Sequence, residues 1–545
     1  MIRRVLARTL VLPLVVGGCG SVTVDRVADA SSDDVAAIDA PVAERDAAGD
    51  VLLEASDPGD AADADRDAPA APSALRVVST DPTDGASDVE PARRASIVFS
   101  RPIVAPKTKD DVSVSASTFA VPITSELSSD GTTLTISAGG WPLLATVVVT
   151  LTTKIVAVDG GRLAHDYVFR FDTKDGAWFT PTVVSETGYF LDIAITDDNR
   201  VGLVSDRGVD VERPSHAHTI ETTGVTDVEA AIAADPRGTF AVAFANRTAG
   251  GLGSARSRLY RGSSTVDEIV YDPTATNPPK LAVDRGRPDA PIWAAWVTGE
   301  GISIATESAT LAKIAKVTPS SSSVGVFGFA AGGPWLGVAW TNTEGLFAQR
   351  LRPDDAVHPT SLAEEPPSPA LDTGGIAWPT PKVAMSGDGA LFVAWNAGAT
   401  AKVARFDGVW TKEALDAGVT GTGVADVTLA ASIGGDAIVG WSNPSKGVGV
   451  ARYDAESKSW RPVTYVAPSG RPGYAHSSAM DAAGNALIAW TDPKGVWLCR
   501  YDHLADSWSA PFLIGEGGSE ARVALGARGG VCAWEHPNVT VALLE

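Results

Sequence analysis

The chain has 545 residues, with 66 acidic against 44 basic side chains and a formal net charge of −22. An acidic chain without a basic stripe repels phosphate, which excludes nucleic acid as a partner. Its three cysteines, Cys19, Cys499 and Cys532, show neither metal spacing nor a disulfide framework, and its length is enough for two or more domains.

The N-terminus carries Arg3, Arg4 and Arg8, then an apolar run from Leu10 to Val16, then Gly17, Gly18 and Cys19. Basic, apolar and small residues in that order predict a secretory signal over 1–18. The apolar run falls far short of the ~20 residues that span a bilayer. Val16-Gly17-Gly18-Cys19 resembles the bacterial lipobox, whose cysteine becomes the acylated first residue of the mature protein. The resemblance implies lipidation at Cys19 and makes the membrane the first expected partner. Each buried CH₂ contributes ~0.8 kcal/mol, so several acyl chains hold where one does not. Gly20, rather than Asp, after the cysteine points to the outer membrane, on its periplasmic face or at the cell surface. The expected location is the cell envelope.

Residues 19–72 are rich in Asp and Ala and hold no aromatic residue. Mutual repulsion and scarce apolar surface predict a lipidated, disordered acidic tether.

Over 73–174 short β-branched runs alternate with turn residues, as in Ala95–Ser100, Thr132–Ile136 and Thr146–Thr152. About seven such strands predict an all-β sandwich. Asp81-Pro82-Thr83-Asp84-Gly85, Ile97-Val98-Phe99-Ser100, Asp159-Gly160-Gly161 and Tyr167-Val168-Phe169-Arg170-Phe171 resemble the bacterial Ig-like domain of the surface-layer-protein type. Such domains are spacers or adhesion modules, so the resemblance implies a stalk.

Over 175–545 an apolar strand ending in an aromatic residue recurs. The equivalent positions are Ser205, Phe244, Trp296, Trp340, Trp395, Trp441, Trp490 and Trp534. A period of roughly 40–50 residues with four strands per unit is the signature of a β-propeller. Eight blades are expected, or seven if the degenerate Ser205 copy forms no full blade. The last copy has only three strands, so a strand at about 177–184 is expected to complete it and close the ring. The fold class is therefore all-β: an Ig-like β-sandwich followed by a β-propeller. The propeller is similar in a general way to sialidase-like families, but their repeated Asp-box turn is absent, and fold likeness alone assigns no chemistry.

The recurring tryptophans sit at a fixed place on an apolar strand, which predicts packing between blades rather than sugar stacking. Trp378 differs, lying in the long proline-rich connection 358–382 that has room for a binding role. The turns Asp235-Pro236-Arg237-Gly238, Gly387-Asp388-Gly389 and Asp481-Ala482-Ala483-Gly484 lack the dense oxygen ligands calcium needs and read as hairpin turns. Cys499 and Cys532 fall in adjacent repeats and read as buried strand residues, with pairing as the alternative. Charged residues near the inner-strand starts are Asp192, Glu229, Lys280, Lys382, Asp426, His476 and Arg522. They either bind a polar ligand or line a water-filled channel.

No catalytic, cofactor or metal site is assigned, and the binding residues stay open. A binding or scaffolding propeller for polysaccharide or an envelope protein ranks ahead of an enzyme. The alternative is a glycoside hydrolase or lyase with paired acids such as Asp192 and Glu229, whose carboxyls must lie ~5–10 Å apart.

Overall fold

The structure is a computed structural model. It describes residues 74–545 apart from 107–109, 118, 186–189, 197–198, 206–207, 212–217, 222–228, 236–237, 249–250, 262–263, 273–278, 288–290, 307–314, 318–323, 356–360, 374–379, 399, 418–424, 468–473 and 536–537. The signal, Cys19 and the tether lie outside the described residues, as does Trp378.

Between Val77 and Thr173 the chain builds two sheets. One orders Val77–Asp81, Ala95–Phe99, Thr133–Ser137 and Thr124–Leu127. The other orders Ala86–Val89, Tyr167–Thr173, Thr146–Leu151, Val112–Ala116 and Phe119–Ala120. Alternation is the cause: in Thr146–Leu151 every second residue, Val147, Val149 and Leu151, is buried, because a strand presents alternate side chains to one face. These meet Ile97, Phe99, Leu134, Ile136, Phe169 and Phe171 in one core. Trp141 packs edge-on to Phe171 at 5.5 Å.

The rest of the described chain forms eight sheets, each opened by one inner strand. The inner strands are Phe190–Ile195, Glu229–Ala234, Lys280–Val283, Phe327–Gly332, Lys382–Met385, Ala425–Ala431, Tyr474–Met480 and Ser519–Leu525. Each packs against the inner strand of the next sheet, and Ser519–Leu525 returns to Phe190–Ile195, which makes a closed ring. The sheet containing Ser205 has four strands like its neighbours. In the last sheet the outer strand is Thr182–Ser185, paired antiparallel with Val539–Leu544. Both ends of the repeat array thus share one sheet and leave no open inner edge to recruit another chain.

The second strand of each sheet is buried on both faces, since a blade lies between two others. In Ala437–Asn443 every residue is buried. Trp340, Trp395, Trp441, Trp490 and Trp534 are at most 3% exposed, so they pack between sheets. Trp490 stacks on Trp497 at 6.5 Å, and Trp340 on Phe347 at 6.1 Å. The outer strands are less regular than expected. In the seventh sheet the outer strand is split in two, Ser507–Trp508 and Phe512–Glu516. Pro511 lies in the gap and has no N–H for the ladder.

Candidate functional site

The site is built from one repeated turn. At the end of five inner strands an oxygen-bearing side chain accepts the backbone N–H four residues on. The pairs are Thr196 with Arg200 (2.9 Å), Asp235 with Thr239 (2.8 Å), Ser386 with Ala390 (3.1 Å), Ser432 with Asp436 (3.1 Å) and Asp481 with Asn485 (2.9 Å). The residue before the last position has positive φ: Gly238, Gly389, Gly435 and Gly484, with Asn199 at 62° in the first sheet. A tight hairpin turn needs that left-handed residue, which glycine supplies without a Cβ penalty. Three of these turns, those holding Asp235, Asp388 and Asp481, are the ones read from the sequence as hairpin turns.

Aligning the sheets on this turn puts chemistry in register. Two residues before it, the inner strands carry Ala194, Ala233, Ala282, Ala330, Ala384, Ala430, Ala479 and Ala524. All eight are alanine. Inner strands crowd toward the axis here, so only a small side chain fits. Six of the alanines, Ala282 through Ala524, line a cavity of about 310 Å³.

Four residues before the turn, the same alignment gives Asp192, Ala231, Lys280, Gly328, Lys382, Thr428, Ser477 and Arg522. The charged members sit at one register on the first, third, fifth and eighth inner strands of the closed ring, and they influence one another's titration. Burial pushes the Asp192 carboxyl above the usual carboxylate range, opposed by the Ile232 N–H it accepts at 3.1 Å and by Arg522 and Lys280. Burial also pulls the Lys382 ammonium below its ordinary value, helped by Arg522 and Lys280 and opposed by Asp426 and Asp192. Asp426, two residues further out and exposed, is raised by burial and lowered by Lys382. Ser477 accepts the N–H of Val523 at 3.2 Å, linking the seventh sheet to the eighth as the Asp192–Ile232 bond links the first to the second.

The opposite end of the channel is occupied. Arg285, just after its turn, donates from Nη2 to the Ile195 carbonyl at 2.8 Å and from Nη1 to the Leu525 carbonyl. It reaches from the third sheet to the first and eighth. Ile433 crosses the same end: its carbonyl accepts the Gly387 N–H at 3.0 Å, and its side chain lies beside Gly286. Among the described residues the channel is closed beneath the alanines by Arg285 and Ile433.

The closed end also carries the Ig-like domain. Asn485, fully buried, donates from Nδ2 to the carbonyls of Leu143 and Leu144, both at 3.2 Å. Arg528 donates to the Ala138 carbonyl, and Arg500 pairs with Asp175 at 3.0 Å. Leu143 packs into the propeller core and Ala483 into the Ig-like core. Backbone bonds between Ala177 and Glu545 (2.8 and 3.2 Å) fix the connecting segment. The charged ring thus lies roughly 13 Å up the inner strands from these turns, at ~3.3 Å per residue over four residues.

Of the charged residues the sequence singled out, the structure brings together Asp192, Lys280, Lys382, Asp426 and Arg522; the side chains of Glu229 and His476 lie outside the described residues. Part of the long connection 358–382 is structural. Ser368 and Leu371 are buried along the strand Gly345–Pro353, and Asp372 holds Trp395 Nε1 at 2.8 Å and Lys402 at 2.9 Å. Cys499 and Cys532 are free thiols buried in their strands, with the Cys499 pKa pushed up to about 11 by burial. Among the described residues no group of three or more His, Cys, Asp or Glu could hold a metal ion. Arg285 and Asn485 were missed in the sequence. A signal existed for the first: the position after the turn is otherwise Asp197, Pro236, Gly333, Gly387, Ile433, Ala482 or Ala527.

The fold and site define an all-β protein in which an Ig-like domain carries a β-propeller. Residues 71–173 match the family model of the bacterial Ig-like domain. No curated protein matches the chain. Among solved structures, the Dos1 propeller is similar to 68% of this chain and 95% of its own, at 10% identity and a TM-score of 0.41. Kluyveromyces lactis Hsv2 is similar over 60% of this chain and 100% of its own, at 13% identity and a TM-score of 0.34. An Aleuria aurantia lectin mutant in complex with alpha-methyl-L-fucoside is similar over 53% of this chain and 98% of its own, at 14% identity and a TM-score of 0.33. Likeness at this level carries no argument about function.

Proposed function

We propose that this protein is an envelope lipoprotein, anchored in the outer membrane through acylated Cys19, whose propeller binds a polysaccharide or an envelope protein. The acidic segment 19–72 is the tether, and the Ig-like domain, of the surface-layer-protein type, is the stalk. One observation carries the reading. The Ig-like domain is bolted to the closed end of the propeller, and the charged residues lie at the other end of the inner strands. A head held by its closed end leaves its charged end clear of the Ig-like domain and available to a partner. Pockets with a few convergent polar groups above an apolar lining suit binding of a small polar moiety.

Two measurements test it. Radiolabelled fatty acid should be incorporated by the wild type and not by Cys19→Ser; equal labelling removes the anchor. The purified chain should retain a member of a panel of bacterial polysaccharides without releasing reducing ends. Release of reducing ends that is lost in Asp192→Asn would instead make it a glycoside-cleaving enzyme.

A further inference from the structure

We propose that residues 177–185 form a tension strap: load passing from the Ig-like domain to a partner held at the far end of the propeller runs lengthwise along them. Their hydrogen bonds to the last strand then yield together rather than singly. The proposal rests on the reading above, in which the Ig-like domain leads to an anchor and the propeller to a partner.

Connectivity singles out this strand. In the other seven sheets the outer strand follows its neighbour directly in the chain, so a covalent turn joins the two. In the eighth, Thr182–Ser185 and Val539–Leu544 come from opposite ends of the repeat array. Only non-covalent contacts hold the ring shut there, and the chain leaving the Ig-like domain enters it first.

Register fixes the direction. At the closed end Leu525 pairs with Gly530 and Gly530 with Leu544. Trp178 bridges Leu544, and Ala177 and Glu545 each donate to the other's carbonyl. At the other end Ser519 pairs with Glu535, Glu535 with Val539, and Val539 with Ser185. The strap therefore starts at the closed end, where Asn485 and Arg528 hold the Ig-like domain, and runs toward the charged end. A pull on that domain away from the charged end draws the strap along its own length. The Ala177–Glu545 pair, the Phe179 N–H on the Leu543 carbonyl at 2.8 Å and the ladder through Thr182, Val183 and Ser185 are strained at once. Each bond contributes only ~0.5–1.5 kcal/mol net, so they resist well when loaded together and poorly when opened in turn. The Ig-like domain is built the same way: its early strand Ala86–Val89 lies parallel to its last, Tyr167–Thr173. A pull between its two ends slides those strands lengthwise too.

The test is single-molecule pulling of the full chain carrying Cys19→Ser, held at its N-terminus and at one of two other points. One is a thiol from Lys494→Cys, in the exposed turn between Asp492 and Gly495 at the charged end. The other is Glu545, at the closed end. Cys499 and Cys532 are buried and stay unlabelled. At ~3.3–3.6 Å per residue, the Ig-like domain releases roughly 300 Å and the propeller on the order of 1,000 Å, which tells the events apart. The propeller should yield at a higher force when held at Lys494→Cys than at Glu545, where the same pairs open one after another from Ala177. Phe179 is 54% exposed, so Phe179→Pro deletes its bond to Leu543 without emptying the core. It should lower the force at the first point and leave the second nearly unchanged. Equal forces in the two directions overturn the proposal, as does a lengthwise force that Phe179→Pro does not move. If that variant fails to fold, the comparison of directions with the strap unaltered decides alone. Equal forces leave fatty-acid labelling and polysaccharide retention untouched, whereas loss of either of those leaves the direction dependence standing.

Discussion

Asp481 shows how one turn residue couples local geometry to stability. Its carboxylate accepts the N–H and the Nδ2 of Asn485, both at 2.9 Å, yet burial dominates and raises its pKa from 3.8 to about 6, with Arg500 opposing. A raised folded-state value means the folded protein holds the proton more tightly than the unfolded chain. The stabilisation is therefore full below pH ~4 and is lost as pH rises through ~6, on the order of 2–3 kcal/mol in all. Urea unfolding of wild type and Asp481→Ala at pH 4.5 and pH 7 checks it. The variant's deficit should shrink toward pH 7; a deficit constant with pH refutes the titration. At this scale the sequence was only partly legible. Lys280, Lys382, Asp192 and Arg522 stood out as charges on apolar strands, but their common register emerges only once the turn oxygen fixes the alignment. Asn485 carried no signal, because an asparagine following a turn glycine looks like any other turn residue.

The blade is legible where periodicity is strong and obscure where proline intervenes. The second strands announced themselves as apolar runs ending in tryptophan, because a sheet sandwiched on both faces needs no polar side. The outer strands did not, since Trp508-Ser509-Ala510-Pro511 keeps strand-like composition through a break in the ladder. The turns impose the sharper constraint. Gly389 has φ 87°, and a Cβ there would overlap the Trp335 ring. That ring stacks under Arg350 at 4.0 Å, whose guanidinium grips Glu365 at 2.8 and 2.9 Å and the Gly389 carbonyl at 2.8 Å. Gly398 is the natural control, with φ 61° and no atom within 4 Å of the place a Cβ would occupy. Gly398→Ala should cost only the left-handed backbone penalty, ~1 kcal/mol, and Gly389→Ala roughly 2–4 kcal/mol because the stack must also shift. Equal losses in denaturant midpoints would mean the turn, and not the stack, limits this blade.

For the whole molecule, an Ig-like sandwich was readable from its β-branched alternation and a propeller from its repeat. Nothing in either pattern told how the two meet, because docking depends on a few buried polar atoms. Asn485 is the centre of that contact. It satisfies Leu143 and Leu144 across the junction, accepts the His503 N–H at 3.0 Å and holds Asp481, all while fully buried. Removing its side chain leaves two domain-facing carbonyls and a carboxylate without that partner, a loss of roughly 2–4 kcal/mol at the interface. Arg528 and the Arg500–Asp175 pair remain, so the domains stay linked but less tightly coupled. Wild type should therefore melt in one calorimetric transition across 74–545, and Asn485→Ala in two, the Ig-like domain separating from the propeller. A single, merely lowered transition would show that the apolar contacts of Leu143 and Ala483 couple the domains without the amide. The outcome bears on function through geometry. On the proposed binding reading, a loosened stalk lets the propeller tumble against the Ig-like domain, so capture of a surface-bound ligand should fall while affinity for the free ligand stays unchanged.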